Sequence, residues 1–158
     1  MTFVAGTVLS AAALNAATSS GRCHGHLSAN PSAAVANTPT RMVGFTEDYD
    51  TVAMFDGANG LITAPSTGVM MLTCGLVVNS FGTAFRRSLV IERGSGSAGA
   101  GVELVRDELE STDRVALLVA KDIPVTAGDV ISAYVNFETA GTIQGASYVC
   151  WISARMVG

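Results

Sequence analysis

Short apolar segments recur along the chain, separated by turns rich in glycine, proline, asparagine and aspartate. Segments of this kind, spaced about a dozen residues apart, are typical of an all-β sandwich or barrel. The pattern predicts these strands: Arg22–Ser28, Thr40–Phe45, Gly68–Asn79, Phe85–Arg93, Gly101–Arg106, Arg114–Ile123, Val130–Phe137 and Ser147–Val157. Turns are predicted at Asp56-Gly57, Asn59-Gly60, Pro65–Gly68 and Val125–Asp129. No segment after Ser19 has the periodicity and caps of a helix.

Two predicted strands are apolar on both faces. In Gly68–Asn79 one face carries Val69, Met71, Thr73, Gly75 and Val77, and the other carries Met70, Leu72, Cys74, Leu76 and Val78. In Arg114–Ile123 the two faces carry Val115, Leu117 and Val119 against Ala116, Leu118 and Ala120. A sandwich with one solvated face should instead alternate apolar and polar residues. The pattern therefore predicts that another copy of the chain covers one sheet face.

The segment Met1–Ser19 has an apolar middle and small residues, as a weak secretory signal does, but it lacks the positively charged start of such signals. It is too short and alanine-rich for a membrane span. We expect a short helix with Ser10 as N-cap and Ala11–Ala17 as its body. The chain is thus divided into a leader, 1–21, and a β domain, 22–158.

Composition narrows the possible functions. The chain has 158 residues, of which 49% are hydrophobic and only 14% charged, and its net charge is −4. A low charged fraction favours a surface that is partly buried by self-association, and an acidic chain with scattered Lys and Arg argues against a nucleic-acid partner. The three cysteines, Cys23, Cys74 and Cys150, have no zinc-type spacing. Cys74 and Cys150 lie in apolar runs and are interpreted as buried thiols; a Cys74–Cys150 bridge would need an oxidising compartment.

Several stretches resemble the C1q/tumour-necrosis-factor-like jelly roll. These are Tyr49-Asp50, Leu61-Ile62-Thr63-Ala64-Pro65 with Gly68 before an apolar strand, Val125-x-x-Gly128-Asp129-x-Ile131, and Ser147-x-x-x-Trp151-Ile152. The resemblance covers roughly residues 22–158. It implies a non-enzymatic homotrimer with the jelly rolls packed side by side around a threefold axis.

The opening residues, Phe3-x-Ala5-Gly6-x-Val8-Leu9-Ser10-Ala11-Ala12-x-Leu14-Asn15, resemble the start of actinobacteriophage minor tail and fibre proteins, where a similar leader precedes a C1q-like head. This second resemblance implies a structural protein of the virion, assembled in the host cytoplasm. Residues 1–21 would then dock on other virion proteins. The loops Asn79–Ala84, Gly94–Ala100 and Glu138–Gly145 would be candidate contacts with a host-surface glycan or protein.

Cys23-His24-Gly25-His26 is the most chemically suggestive motif. In a strand, His24 and His26 project from one face, as two metal ligands should, but no further ligand lies at short spacing. We interpret them as strand or interface histidines rather than a metal site. A second hypothesis is that they titrate near neutral pH and modulate assembly.

Other motifs lack the context that their chemistry requires. Gly94-Ser95-Gly96-Ser97-Ala98-Gly99 matches a dinucleotide fingerprint but has no βαβ setting, so it is interpreted as a loop between strands. The acidic groups Asp107, Glu108, Glu110, Asp113 and Glu47, Asp48, Asp50 are interpreted as exposed loops without an EF-hand pattern. No nucleophile–histidine arrangement is recognisable. No catalytic, cofactor or metal residue is assigned.

The sequence favours a minor tail or fibre module. The other hypotheses are a capsid decoration or head-fibre protein and, less favoured, a glycan-degrading sandwich-fold enzyme, which would need paired carboxylates in a cleft.

Overall fold

The computed structural model describes residues 21–28, 36–79, 84–94, 96–139, 143 and 150–157. These residues form eleven strands. Their bounds are β1 Arg22–His26, β2 Thr40–Arg41, β3 Thr46–Asp50, β4 Phe55–Asp56, β5 Leu61–Thr63, β6 Gly68–Val78, β7 Phe85–Arg93, β8 Val102–Ser111, β9 Val115–Val125, β10 Val130–Phe137 and β11 Trp151–Val157. Among the described residues none belongs to a helix that could cross a bilayer. The expected helix with Ser10 and Ala11–Ala17 lies outside the described residues.

The strands form two antiparallel sheets. The five-stranded sheet has the order β3-β1-β11-β6-β9, and the six-stranded sheet has the order β4-β5-β10-β7-β8, with β2 pairing to β10. The early strand β1 pairs with the last strand β11, and β6 lies between β11 and β9. Most pairings therefore join residues far apart in sequence, as in a Greek-key sandwich.

One hydrophobic core lies between the sheets. Alternate residues of each long strand point inward, because successive side chains of a strand face opposite sides. In β6 these are Met70, Leu72, Cys74, Leu76 and Val78, all at most 1% exposed. Residues of β7 and β10, including Leu89, Ile91 and Ile131, close the core from the other sheet. Each such side chain contributes about 1.5–3 kcal/mol by leaving water.

Two of the predicted turns contain a glycine in the left-handed backbone conformation. Gly60, after Asn59, has φ +64°, and a Cβ there would collide with the carbonyl oxygen of Met42. Gly128 has φ +89°, and the Asp129 carboxylate accepts a hydrogen bond from the Thr126 amide at 2.9 Å. Glycine is favoured at both positions because side chains with a Cβ rarely adopt this backbone conformation.

The predicted strand bounds agree for β7 and β10 and differ elsewhere. The strand predicted over Gly101–Arg106 extends to Ser111, and the strand predicted over Thr40–Phe45 is regular only at Thr40–Arg41. Of the strand predicted over Ser147–Val157, the structure describes Trp151–Val157 as β11 and leaves residues 147–149 undescribed.

Two acidic groups lie in strands, so their interpretation as loops was wrong. Glu47, Asp48 and Asp50 belong to β3, while Asp107, Glu108 and Glu110 belong to β8; only Asp113 lies in a connection. Both strands are at or near sheet edges, where charged side chains remain solvated while the backbone pairs with one neighbour.

The glycine-rich stretch after β7 is a loop, as the sequence predicts, and a buried carboxylate holds it. Glu92 is 1% exposed, and its Oε2 accepts hydrogen bonds from the amides of Gly99 and Gly101, both at 3.1 Å. Its Oε1 accepts a hydrogen bond from the Ser132 hydroxyl at 3.2 Å. In the described residues no helix follows this loop, so the context that a dinucleotide site needs is not present there.

Candidate functional site

The outward face of the five-stranded sheet carries most of the sequence features that suggested function. Strand register places side chains in rows across this face. The first row is His26, Trp151, Gly75 and Leu118, the second is His24, Ser153, Thr73 and Ala120, and the third is Arg22, Arg155, Met71 and Asp122. A fourth row contains Val157, Val69 and Pro124. Cross-strand neighbours on one face lie within contact distance, so these rows form a continuous surface.

Four large apolar side chains on this face are exposed, and we call them the apolar patch: Val69, Met71, Leu118 and Val157. Their exposed fractions are 40%, 40%, 59% and 47%. Apolar patches rimmed by polar residues mark interaction sites on soluble proteins. The outward face of β6 is therefore apolar, as the sequence predicts.

The two faces of β6 differ in burial, and only one of them is covered within the subunit. Met70 and Leu72 are enclosed in the core of a single subunit, at 0% and 1% exposure, so they provide no support for self-association. Met71 and Leu118, by contrast, project outward. The argument for a covered sheet face now depends on the apolar patch alone.

Trp151 borders the apolar patch and lies flat on β6. A Cβ built on Gly75 would meet the indole Nε1 at 3.0 Å and Cε2 at 3.1 Å. The absence of a side chain at Gly75 thus allows the aromatic ring to pack directly on the backbone of the neighbouring strand. This packing presents one broad aromatic face beside Leu118.

A histidine–aspartate cluster occupies the other end of the same face. His24 and His26 both project outward from β1, as the two-residue strand period predicts. The register between β1 and β3 shifts after His24, so that Asp48 has no direct partner on β1. This β-bulge places the Asp48 side chain beside both imidazoles.

Both histidines share one carboxylate oxygen. Asp48 Oδ2 lies 2.6 Å from His24 Nδ1 and 2.9 Å from His26 Nδ1. A carboxylate only accepts hydrogen bonds, so Nδ1 is the protonated nitrogen in both rings. The hydrogen bond from His26, followed by that from His24, lowers the pKa of Asp48. The arrangement keeps Asp48 ionised.

Aromatic rings enclose His24. Its ring stacks on Tyr49 with centroids 5.8 Å apart and on Trp151 at 6.1 Å. The guanidinium carbon of Arg22 lies 5.7 Å from the centroid of the Tyr49 ring, within the distance of a cation–π contact. The histidines thus connect the polar end of the face to Trp151 and the apolar patch.

Among the described residues no group of three or more His, Cys, Asp or Glu side chains has the geometry of a metal site. His24 and His26 are used instead in hydrogen bonds to Asp48. On β3, the Asp50 carboxylate has a structural contact, since it accepts hydrogen bonds from the amides of Val52 and Phe55. On β8, Asp107 accepts one from the amide of Leu118 at 2.9 Å.

The three cysteines are buried free thiols. Burial raises the pKa of Cys23 and of Cys150 to about 12 and raises that of Cys74 well above its ordinary value. This agrees with the interpretation of Cys74 and Cys150 as small core residues, and it extends the same role to Cys23, whose short strand gave no clear apolar signal.

Of the three predicted contact loops, only Gly94–Ala100 is largely described. Most of Asn79–Ala84 and of Glu138–Gly145 lies outside the described residues. One further feature was not predicted from the sequence, a polar pocket on the outward face of the six-stranded sheet near Glu138. Its residues come from separate parts of the chain and form no motif.

No protein-family profile matches the chain, and no curated protein matches it. Solved structures do match. The chain is similar to murine APRIL (14% identity, TM-score 0.66, covering 87% of this chain and 99% of that one). It is also similar to the tumour-necrosis-factor protein Eiger from S. frugiperda (12% identity, TM-score 0.64, covering 88% and 93%). A third is the globular domain of zebrafish complement 1qA (11% identity, TM-score 0.62, covering 88% and 97%).

Topology and these similarities define the fold as a C1q/TNF-like jelly-roll sandwich. The fold class implied by Tyr49-Asp50, Leu61–Pro65 and the closing strand is therefore confirmed. At these identities the likeness concerns the fold alone. The resemblance of residues 3–15 to phage tail proteins lies outside the described residues and stays a prediction.

Proposed function

We propose that this chain is a non-enzymatic structural module that forms a homotrimer through the outward face of its five-stranded sheet. The observation that carries the proposal is the apolar patch, four exposed aliphatic side chains on three adjacent strands. Covering this patch with another copy removes apolar surface from water, the main driving force of protein association. A closed assembly of identical chains is the simplest way to cover it.

Charge on the same face is consistent with ordered packing between copies. Arg22 and Arg155 are direct cross-strand neighbours, and Asp122 lies at the far end of their row. In a cyclic assembly one edge of the face on one copy meets a different edge on the next. Two adjacent arginines at one edge and an aspartate at the other are complementary in such a contact.

The native mass tests this part of the proposal. We expect the purified chain to sediment at about three times 16.2 kDa and to dissociate on dilution. Sedimentation equilibrium over a wide concentration range measures both quantities. A folded chain that remains monomeric at high concentration would contradict the trimer.

We further propose that the module belongs to a virus particle, as a minor tail or fibre protein that contacts the host surface. The first support is the resemblance of residues 3–15 to actinobacteriophage tail proteins. The second is that the proposed self-association face lies on a sheet, which leaves the loops of the jelly roll available for contact with a host. Residues 1–21 would attach the trimer to neighbouring virion proteins. Gold-labelled antibodies against the chain, applied to purified particles, test this assignment. Label on the tail supports it, label on the capsid supports the decoration-protein alternative, and particles without label contradict both.

The described residues offer no specific support for the enzymatic alternative. On β8, Glu103 pairs with Arg106 at 2.6 Å, and Glu108 pairs with Arg106 at 3.3 Å and with Arg86 at 3.7 Å. Turnover of purified cell-wall glycans by the chain would overturn the non-enzymatic assignment.

A further inference from the structure

A polar pocket lies on the outward face of the six-stranded sheet. Its floor is Ser88 of β7, which pairs with Asn136 of β10 on one side and Glu108 of β8 on the other. The cavity has a volume of about 140 Å³. Its lining is almost wholly polar and consists of these residues: Asn37, Arg86, Ser88, Arg106, Glu108, Asn136 and Glu138.

The charges around the pocket are balanced and held in place. Arg86 pairs with Glu138 at 3.2 Å and with Glu108 at 3.7 Å, while Arg106 pairs with Glu108 at 3.3 Å. Two guanidinium groups and two carboxylates therefore give the lining no net charge. Each ion pair holds in place planar groups that line the cavity.

Hydrogen bonds hold the floor of the pocket in place. Ser88 is only 2% exposed; its hydroxyl donates to the carbonyl oxygen of Asn136 at 3.1 Å and accepts from Arg106 at 3.3 Å. The side-chain oxygen Oδ1 of Asn136 is buried, and among the described residues it has no hydrogen-bond partner. A buried acceptor without a donor is costly, so a rotation of the Asn136 amide that turns Oδ1 toward the cavity would be favoured by a ligand that supplies a donor.

We infer that this pocket binds one unit of a neutral saccharide. Each sugar hydroxyl both donates and accepts, so neighbouring hydroxyls can donate to Asn136 Oδ1 or Glu108 and accept from Arg86 or Arg106 at the same time. The cavity of about 140 Å³ has room for several water molecules. That space suits one sugar ring entering from the surface.

Charged ligands fit the lining less well. An anion would meet Glu108 and Glu138, and a cation would meet Arg86 and Arg106, so either would have to break existing ion pairs. The lining contains no aromatic side chain on which a sugar could stack. The affinity of a single site is therefore weak, and several copies in one assembly would strengthen attachment to a repetitive glycan.

This inference deepens the proposed host-surface contact by naming its ligand class, and it rests on that function for its biological meaning. Binding itself does not require self-association, because the pocket and the apolar patch lie on opposite sheets. A trimer without sugar binding would reject the pocket alone. Sugar binding by a permanent monomer would reject the assembly alone.

The test is a titration of the ¹⁵N-labelled full chain, followed by NMR, with methyl α-glucoside, methyl β-galactoside and N-acetylglucosamine. Inorganic phosphate and glycine serve as the anionic and zwitterionic probes. We expect saturable shifts of the Asn136 side-chain amide and the arginine Nε–H signals with at least one sugar, at concentrations up to about 100 mM. Absence of such shifts with every sugar, or tighter binding of phosphate or glycine, would overturn the inference.

Substitutions locate the site. Asn136→Leu keeps the size of the side chain, removes its polar groups, and should weaken sugar binding about tenfold, the equivalent of one hydrogen bond. Glu108→Gln should weaken binding to a similar extent, whereas Glu110→Gln, two residues along the same strand face but outside the lining, should change it less than about twofold. If Asn136→Leu fails to fold, the comparison of Glu108→Gln with Glu110→Gln tests the location of the site. Equal binding by the two glutamate variants would place the sugar elsewhere.

Discussion

Replacing Leu118 by lysine should disrupt self-association without unfolding the subunit. Leu118 is 59% exposed in the isolated subunit, and its backbone amide, which donates to Asp107, is retained in the variant. Full burial of a leucine side chain contributes about 1.5–3 kcal/mol, so covering its exposed part contributes about 1–2 kcal/mol per copy. In the proposed trimer three copies then contribute about 3–6 kcal/mol, and a buried charge adds a further penalty.

That loss raises the trimer dissociation constant at least about a hundredfold and the midpoint concentration about tenfold, because this constant scales with the square of concentration. Sedimentation equilibrium measures the midpoint, and urea unfolding of the variant checks that the subunit remains folded. The matched control is Val102→Lys, since Val102 is 67% exposed but lies on β8 of the other sheet. If Leu118→Lys and Val102→Lys assemble alike, the apolar patch is not the interface.

Three further predictions concern the subunit itself. Glu92→Gln should lower the free energy of unfolding by about 1–3 kcal/mol in urea and speed amide exchange in the glycine-rich loop, and an unchanged exchange rate would contradict the role of Glu92. Gly60→Ala should cost at least about 1–2 kcal/mol from its left-handed backbone, with a further cost from collision with the Met42 carbonyl, so an unshifted urea midpoint would refute this. The pKa of Asp48 is lowered by folding, so its contribution to stability is present above its ordinary pKa and is lost as the pH falls through the lowered value. Asp48→Asn should therefore show a shallower acid-induced loss of stability, and identical pH profiles would contradict it.

Sequence patterns located the strands that combine apolar alternation with a marked turn. The bounds of Val130–Phe137 were predicted correctly because Gly128-Asp129 ends the preceding turn and every second residue is apolar. The acidic strand β3 and the acidic second half of β8 were missed because their side chains are largely exposed and their regularity comes from pairing with a neighbouring strand. Pairing of this kind is a tertiary property that local propensity does not reveal.

Sequence alternation also left open which face of β6 points inward. Met70 and Met71 are chemically identical, and only the register with β9 and β11 places the first in the core and the second on the surface. The common orientation of His24 and His26 was predictable from the strand period. Their shared partner Asp48 was not, since it depends on a bulge between β1 and β3.

The burial of the three thiols determines how the folded chain meets reactive chemicals. At neutral pH a thiol with a pKa of about 12, as for Cys23 and Cys150, is ionised in only about one molecule in 10⁵, and the thiolate is the reactive form. Alkylating reagents and oxidants therefore modify these cysteines only when the sandwich opens. The rate of thiol labelling therefore measures how often the folded chain opens, with no engineered reporter.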